Sequence, residues 1–159
     1  MSRRLILPLL VAATLALAGC GVASAPFGSS VAAISAAAPV VASGRLVDYA
    51  AKPAAGVIIL VNAWPKVPTA SDLAARGDLH PIGWTRTGED GSFEIRIAAD
   101  DTLKGYATAG NNVVNFELTF FSGDAYPDKG IGAFGFSLPL TAEEGFLPAG
   151  ALGDITVFP

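Results

Sequence analysis

From residue 43 onward, apolar and polar positions alternate in short bursts, and the pattern predicts a succession of strands. In Ser92-Phe93-Glu94-Ile95-Arg96-Ile97, the residues Phe93, Ile95 and Ile97 fall on one face and Ser92, Glu94 and Arg96 on the other, the period of two of a half-buried strand. Residues 44–49 read as an earlier strand ended by Lys52-Pro53. Val57-Ile58-Ile59-Leu60-Val61 is an unbroken apolar run, as in a central strand covered on both faces. Residues 82–87 form a third run, and Gly88-Glu89-Asp90-Gly91 predicts a hairpin turn from it into the strand at Ser92. Residues 113–121 put Phe116, Leu118 and Phe120 on one face. Residues 132–138 oppose Phe134, Phe136 and Leu138 to Ala133, Gly135 and Ser137, so a neighbour fits closely against the small side. Residues 154–158 close the series, and only residues 71–76, capped by Thr69 or Ser71, read as helix. The expected fold class is all-β: a single antiparallel seven-stranded β-sandwich over residues 43–159.

The first 42 residues are patterned differently. Met1-Ser2-Arg3-Arg4 is positive, residues 5–18 are apolar, and Leu17-Ala18-Gly19-Cys20 ends the run on small residues and the single cysteine, which is the grammar of an export signal. The run falls short of the roughly 20 residues that span a bilayer, and Pro8 interrupts it. Leu17-Ala18-Gly19-Cys20 resembles the lipobox of bacterial lipoproteins. The resemblance implies a signal peptide over residues 1–19 that is removed, and a diacylglyceryl group on Cys20. Two acyl chains hold a protein stably at a membrane, where one is marginal. The Arg3-Arg4 pair fits either a general secretory or a twin-arginine signal. Residues 20–42 are then the lipidated N-terminus and a low-complexity tether, mostly Ala, Ser, Gly, Pro and Val, with a reach of roughly 25 Å. The expected location is the extracytoplasmic face of a bacterial cell membrane.

Charge narrows the partners. Removing residues 1–19 from 159 leaves 140, with 8 Lys and Arg against 14 Asp and Glu, a net charge of −6. Nucleic-acid binding needs clustered basic residues, so no nucleic-acid partner is expected. Anionic headgroups repel such a surface, and attachment falls to the acyl chains on Cys20.

A second resemblance lies in the strands. Ser43-Gly44-Arg45-Leu46-Val47-Asp48, Pro53-Ala54-Ala55-Gly56-Val57, Thr87-Gly88-Glu89-Asp90-Gly91-Ser92-Phe93 and the closing Leu152-Gly153-Asp154-Ile155 are similar to carboxypeptidase regulatory-like domains, which group with transthyretin-like (prealbumin-like) and collagen-adhesin B-type sandwiches. That resemblance implies a non-catalytic module of stalks, adhesins or secreted enzymes. Residues 64–79 depart from it as an unusually long connection. Self-crosslinking B-type members use an early Lys and a late Asn. Arg45 and Asp154 stand in those neighbourhoods, which implies no internal isopeptide bond.

Candidate chemistry is sparse. His80 is the single histidine, without partners at ligand or proton-relay spacing, and reads as a loop residue before Pro81. No nucleophile elbow or phosphate-binding glycine loop occurs, so the chain is expected not to be an enzyme and to need no cofactor or metal. Asp100-Asp101 and Asp124 with Asp128 are acidic loop clusters whose spacing is not that of a calcium loop. Trp64, Trp84 and Tyr126 are candidate ligand-binding aromatics, because sandwich loops gather at two ends and flat rings stack on sugars. The expected function is an anchored binding or structural module making protein–protein contact in the envelope. The alternative is recognition of an extracellular polysaccharide.

Overall fold

The computed structural model describes residues 31–65, 79–108, 110–123, 130–141 and 145–158. Seven strands lie within them: β1 (Val40–Val47), β2 (Ile58–Ala63), β3 (His80–Arg86), β4 (Ser92–Arg96), β5 (Val113–Phe121), β6 (Gly130–Pro139) and β7 (Gly150–Thr156), with a helix α1 (Asp101–Gly105) between β4 and β5. They form a three-stranded sheet in the order β4-β1-β7 and a four-stranded sheet in the order β3-β2-β5-β6. The all-β expectation holds at this level.

One hydrophobic cluster joins the sheets. β1, β4 and β7 supply Val41, Leu46, Phe93, Ile95 and Ile155; β2, β5 and β6 supply Ile59, Val61, Phe116, Leu118, Phe120 and Leu138. Alternation along β5 is complete: Val114, Phe116, Leu118 and Phe120 are buried while the residues between them are half-exposed. β2 is central, between β3 and β5, and buries both Ile58 and Ile59 on its opposite faces, as its unbroken apolar run requires.

Three expectations need correcting. β1 pairs β7 in parallel, so the strands are not all antiparallel. β6 and β7 belong to different sheets, and the connection between them changes sheet, so no hairpin sets the direction of β7. Nor do β3 and β4 form a hairpin. β3 pairs β2 and β4 pairs β1, and Gly88–Gly91 is a corner that carries the chain between sheets. Leu46 N donates to Gly91 O at 2.9 Å, and Thr87 N donates to Val57 O at 3.0 Å. The buried Thr87 hydroxyl donates to Ala54 O and accepts from Val57 N. Gly91 has φ +76°, and a Cβ there would stand 2.4 Å from Leu46 O. Alternation reports burial; it does not report which sheet a strand joins.

The third correction concerns the start of the domain. β1 begins at Val40 rather than after Ser43, and residues ahead of it are already tied down. Ile34 N donates to Trp84 O at 2.8 Å, and Trp84 N donates to Ala32 O at 3.1 Å, a parallel bridge laid along β3. The expected helix at residues 71–76 lies outside the described residues. α1 occupies what reads in sequence as an acidic loop: Asp100 caps it by accepting from Leu103 N at 2.8 Å, and Asp101 pairs with Lys104, which is ordinary N-terminal helix chemistry.

Arg45 and Asp154 are Cα partners on β1 and β7. Arg45 Nε donates to Asp154 Oδ1 at 3.1 Å and Nη2 to Oδ2 at 2.6 Å, a two-toothed ion pair.

Candidate functional site

Trp64 and Trp84 do not converge. Trp84, on β3, is 8% exposed, so its ring has no free face for a sugar. Its indole Nε1–H is buried without a hydrogen-bond partner. Trp64 is half-buried beyond the end of β2 and donates its backbone N–H to Asn115 O at 2.9 Å. Trp84 lies opposite Leu60, further back along that strand. Tyr126 and Cys20 lie outside the described residues, as do Asp124 and Asp128. His80 opens β3 and stacks on Tyr106, with ring centroids 5.2 Å apart. Among the described residues, no group of three or more His, Cys, Asp or Glu is placed to hold a metal ion.

A cleft of about 640 Å³ opens where the edge of β3 faces the edge of β4, with Ile34 and Ala36 along its rim. Its charges are engaged internally. Arg96 donates twice to Glu94 Oε2, at 3.1 and 2.7 Å, and through Nη1 to the carbonyls of Ala36 and Ala38. Arg86 donates to Gly56 O at 2.9 Å. The bonds from Arg96 to Ala36 and Ala38 hold the segment before β1 in place, and the cleft is a seam between the two sheets.

The open edge of β6 is a different kind of surface. Leu140 N donates to Asn112 O at 2.9 Å, and the register runs without a shift from Val113↔Pro139 to Phe120↔Gly132. Antiparallel pairs alternate between bonded and non-bonded. The backbone groups of Gly132, Phe134, Phe136 and Leu138 therefore face β5, and those of Ala133, Gly135 and Ser137 face outward. Both ends of this outward row are closed: Phe158 N donates to Ile131 O at 2.9 Å, and Leu147 N donates to Pro139 O at 2.9 Å. Between them Ala133, Gly135 and Ser137 are exposed, and no backbone partner for them occurs among the described residues. β6 carries no charged side chain, so the usual guards of an exposed edge, charge, proline or cover, stand only at its two ends, in Pro139 and the bonds from Phe158 and Leu147. The sequence showed the small side of β6 but not that it borders an edge.

No protein-family model matches the chain, and no curated protein does either. A crystal structure of (S)-allantoin synthase matches 77% of this chain and 42% of its own, at 14% identity and a TM-score of 0.40. This chain thus spans about two fifths of that protein's length. The match is to an enzyme, and the expectation that this chain is not one is withdrawn on that finding. At this TM-score the likeness assigns no activity either. Among the described residues no helix is long and apolar enough to cross a membrane.

Proposed function

We propose that the chain is a membrane-anchored envelope lipoprotein, held by acyl chains on Cys20, that makes protein–protein contacts through the open edge of β6. The two sheets around one core are then a β-sandwich of the carboxypeptidase regulatory-like, prealbumin-like kind. Leu17-Ala18-Gly19-Cys20 supports the anchor. The observation that carries the contact is the uncharged stretch Ala133–Ser137, whose outward backbone groups have no partner among the described residues, bracketed by the closed ends at Ile131 and Pro139. Backbone groups on an open edge give an incoming strand its affinity, and the flanking side chains give selectivity. The burial of Trp84 removes one of the aromatics on which a sugar-binding reading leans.

Two measurements test this. Intact mass of the membrane-extracted protein is expected to start at Cys20 and to carry lipid; Met1 at the N-terminus, or an unmodified sulfur, refutes the anchor. A photo-crosslinking residue at Ser137, in cells, is expected to give protein adducts that the same residue at the exposed Ala50 does not. Equal adducts at both positions refute the edge.

A further inference from the structure

We propose that a cavity at one end of the two sheets binds a carboxylate carried on a small apolar group, with Arg86 as its partner. This goes beyond the edge contact and needs neither that contact nor the anchor.

The cavity, about 320 Å³, opens where β1, β3, β5 and β7 end and β2 begins. Small-molecule sites occupy roughly 300–1,000 Å³, so it suits a compact ligand. Val57, Ile131 and Val157, all buried, form its apolar wall, and Asp48 and Arg86 are its charged residues. Part of that wall is held by the corner after β3. The Thr87 hydroxyl donates to Ala54 O and accepts from Val57 N, and Gly56 N donates to Thr87 O at 3.3 Å.

The guanidinium of Arg86 is positioned but not satisfied. Its Nη1 donates to Gly56 O at 2.9 Å, which ties down one corner. Gly123 leaves room for it, because a Cβ there would stand 2.9 Å from Nη1 and 2.7 Å from Gly56 O. Nε and Nη2 have no partner among the described residues. Those are the two nitrogens with which Arg45 holds Asp154 and Arg96 holds Glu94. A carboxylate fits that fork with both oxygens. Asp48 does not supply it. No ion pair joins Asp48 to Arg86 among the described residues, and Asp48 Oδ1 accepts from Ala50 N and Lys52 N at 2.8 and 2.9 Å. The cavity beside α1 offers no comparable donor: Asp100 caps the helix, Arg96 holds Glu94 and His80 lies against Tyr106.

Two aromatics border the site. Tyr49 and Phe158 follow the lining residues Asp48 and Val157 in the chain, are 69% and 58% exposed, and meet edge to face at 4.8 Å. Bonds within Asp48–Lys52 hold Tyr49 outward on a tight turn, in which Ala51 takes φ +59°. A peptide ending in the cavity reaches this pair, whereas a small organic acid does not. The shared chemistry is therefore an apolar carboxylate, from a chain end or a free acid.

The test uses the full lipidated chain in detergent micelles, with backbone amide NMR as the readout. Isocaproate is expected to shift the amides of Gly56, Val57, Gly123 and Ile131 saturably. Isocaproamide, which lacks the charge, and acetate, which lacks the apolar body, are each expected to bind roughly tenfold more weakly or worse. Arg86→Gln should lose about the same factor, while Arg45→Gln, an equal charge change elsewhere, should lose none. Equal binding of isocaproamide refutes the charge recognition, and equal binding of acetate refutes the apolar wall. Equal losses for the two arginine variants mean general attraction and not a site. A pentapeptide ending in leucine, as free acid and as C-terminal amide, separates the sources. Tighter binding of the peptide acid than of isocaproate, with shifts at Tyr49 and Phe158, assigns the ligand to a chain end; weaker binding assigns it to a small acid. If no probe gives saturable shifts at these amides, the cavity is not such a site, and the photo-crosslinking result at Ser137 stands unaffected.

Discussion

The four-stranded sheet treats its two edges in opposite ways. Along β3, the segment before β1 lies against the strand, taking Trp84 N–H at Ala32 O and giving Ile34 N–H to Trp84 O; Gly83 lets it come close, since a Cβ there would stand 2.9 Å from the Ile34 side chain. Along β6, Phe158 and Leu147 close the two ends, and between Ile131 and Pro139 no described residue bonds the outward backbone groups. The β3 edge is filled by part of the same chain, whereas the contact proposed above would fill the β6 edge from outside it.

If both edges hang from one core, deleting core volume should loosen them together. Phe116 is 1% exposed, beneath β5 with Phe136 stacked 5.4 Å away. Phe116→Ala is expected to lower stability by about 3–5 kcal/mol, read by urea unfolding, and the amides of Trp84 and Phe136 should lose exchange protection in step. Protection lost at one edge alone would mean the edges are stabilised separately.

Removing only the guard sharpens the contrast. Gly83→Ala forces the Ile34 side chain or Ala32 O to retreat and is expected to cost about 1–3 kcal/mol, the range for overpacking. The Trp84 amide, which bonds to Ala32 O, should then exchange like an exposed edge group while that of Leu118 does not. Unchanged Trp84 protection would show that the segment does not guard the edge.

Changing only the bare edge should hardly register in stability. Ser137→Pro loses an N–H that points to solvent, where edge strands accept proline, and is expected to cost no more than about 1 kcal/mol in the monomer. Ser137 also donates its hydroxyl to Asn115 Oδ1 at 2.6 Å. Ser137→Ala removes that bond and keeps the N–H, so it separates the two effects. A large loss for proline and none for alanine would mean that the Ser137 N–H bonds inside the monomer.

What was legible followed from local burial. Phe93, Ile95, Phe116, Leu118, Phe120 and Leu138 are core residues because period-two alternation senses which face of a strand is covered. Sheet membership was not legible. Gly88–Gly91 looks the same whether it closes a hairpin or turns a corner, and only Leu46 N and Val57 O, distant in sequence, decide between them. The docking of residues 32–34 was hidden for a similar reason: its bonds are backbone to backbone, and the composition of Val31–Ala38 carries no sign of them. Trp84 falls in the strand-like run 82–87 and sits there, in β3 opposite Leu60, but an isolated tryptophan does not announce its own burial. α1 was missed because a single capped turn reads as an acidic loop until Leu103 is seen buried.

The β1–β7 edge makes the smallest prediction, and it tests whether guarding by charge differs from guarding by cover. Asp154 is held below the usual carboxylate range by its hydrogen bond and charge interaction with Arg45, and Asp90 by its bonds from the Ser92 hydroxyl and N–H. A carboxylate with a lowered native pKa binds protons less readily than its unfolded form, so its stabilisation is complete above the unfolded value, near 4, and is lost as pH falls through the native value. Stability should thus decline on acidification below about pH 5. Asp154→Asn should make that decline shallower without abolishing it, since Asp90 still contributes. Both partners of the ion pair are exposed, and salt should screen its contribution. Urea midpoints at pH 7 and pH 3, for both proteins at low and high salt, decide it. If Asp154→Asn loses as much as the unsubstituted chain on acidification, the pair with Arg45 is decoration, and β7 is guarded by something other than charge.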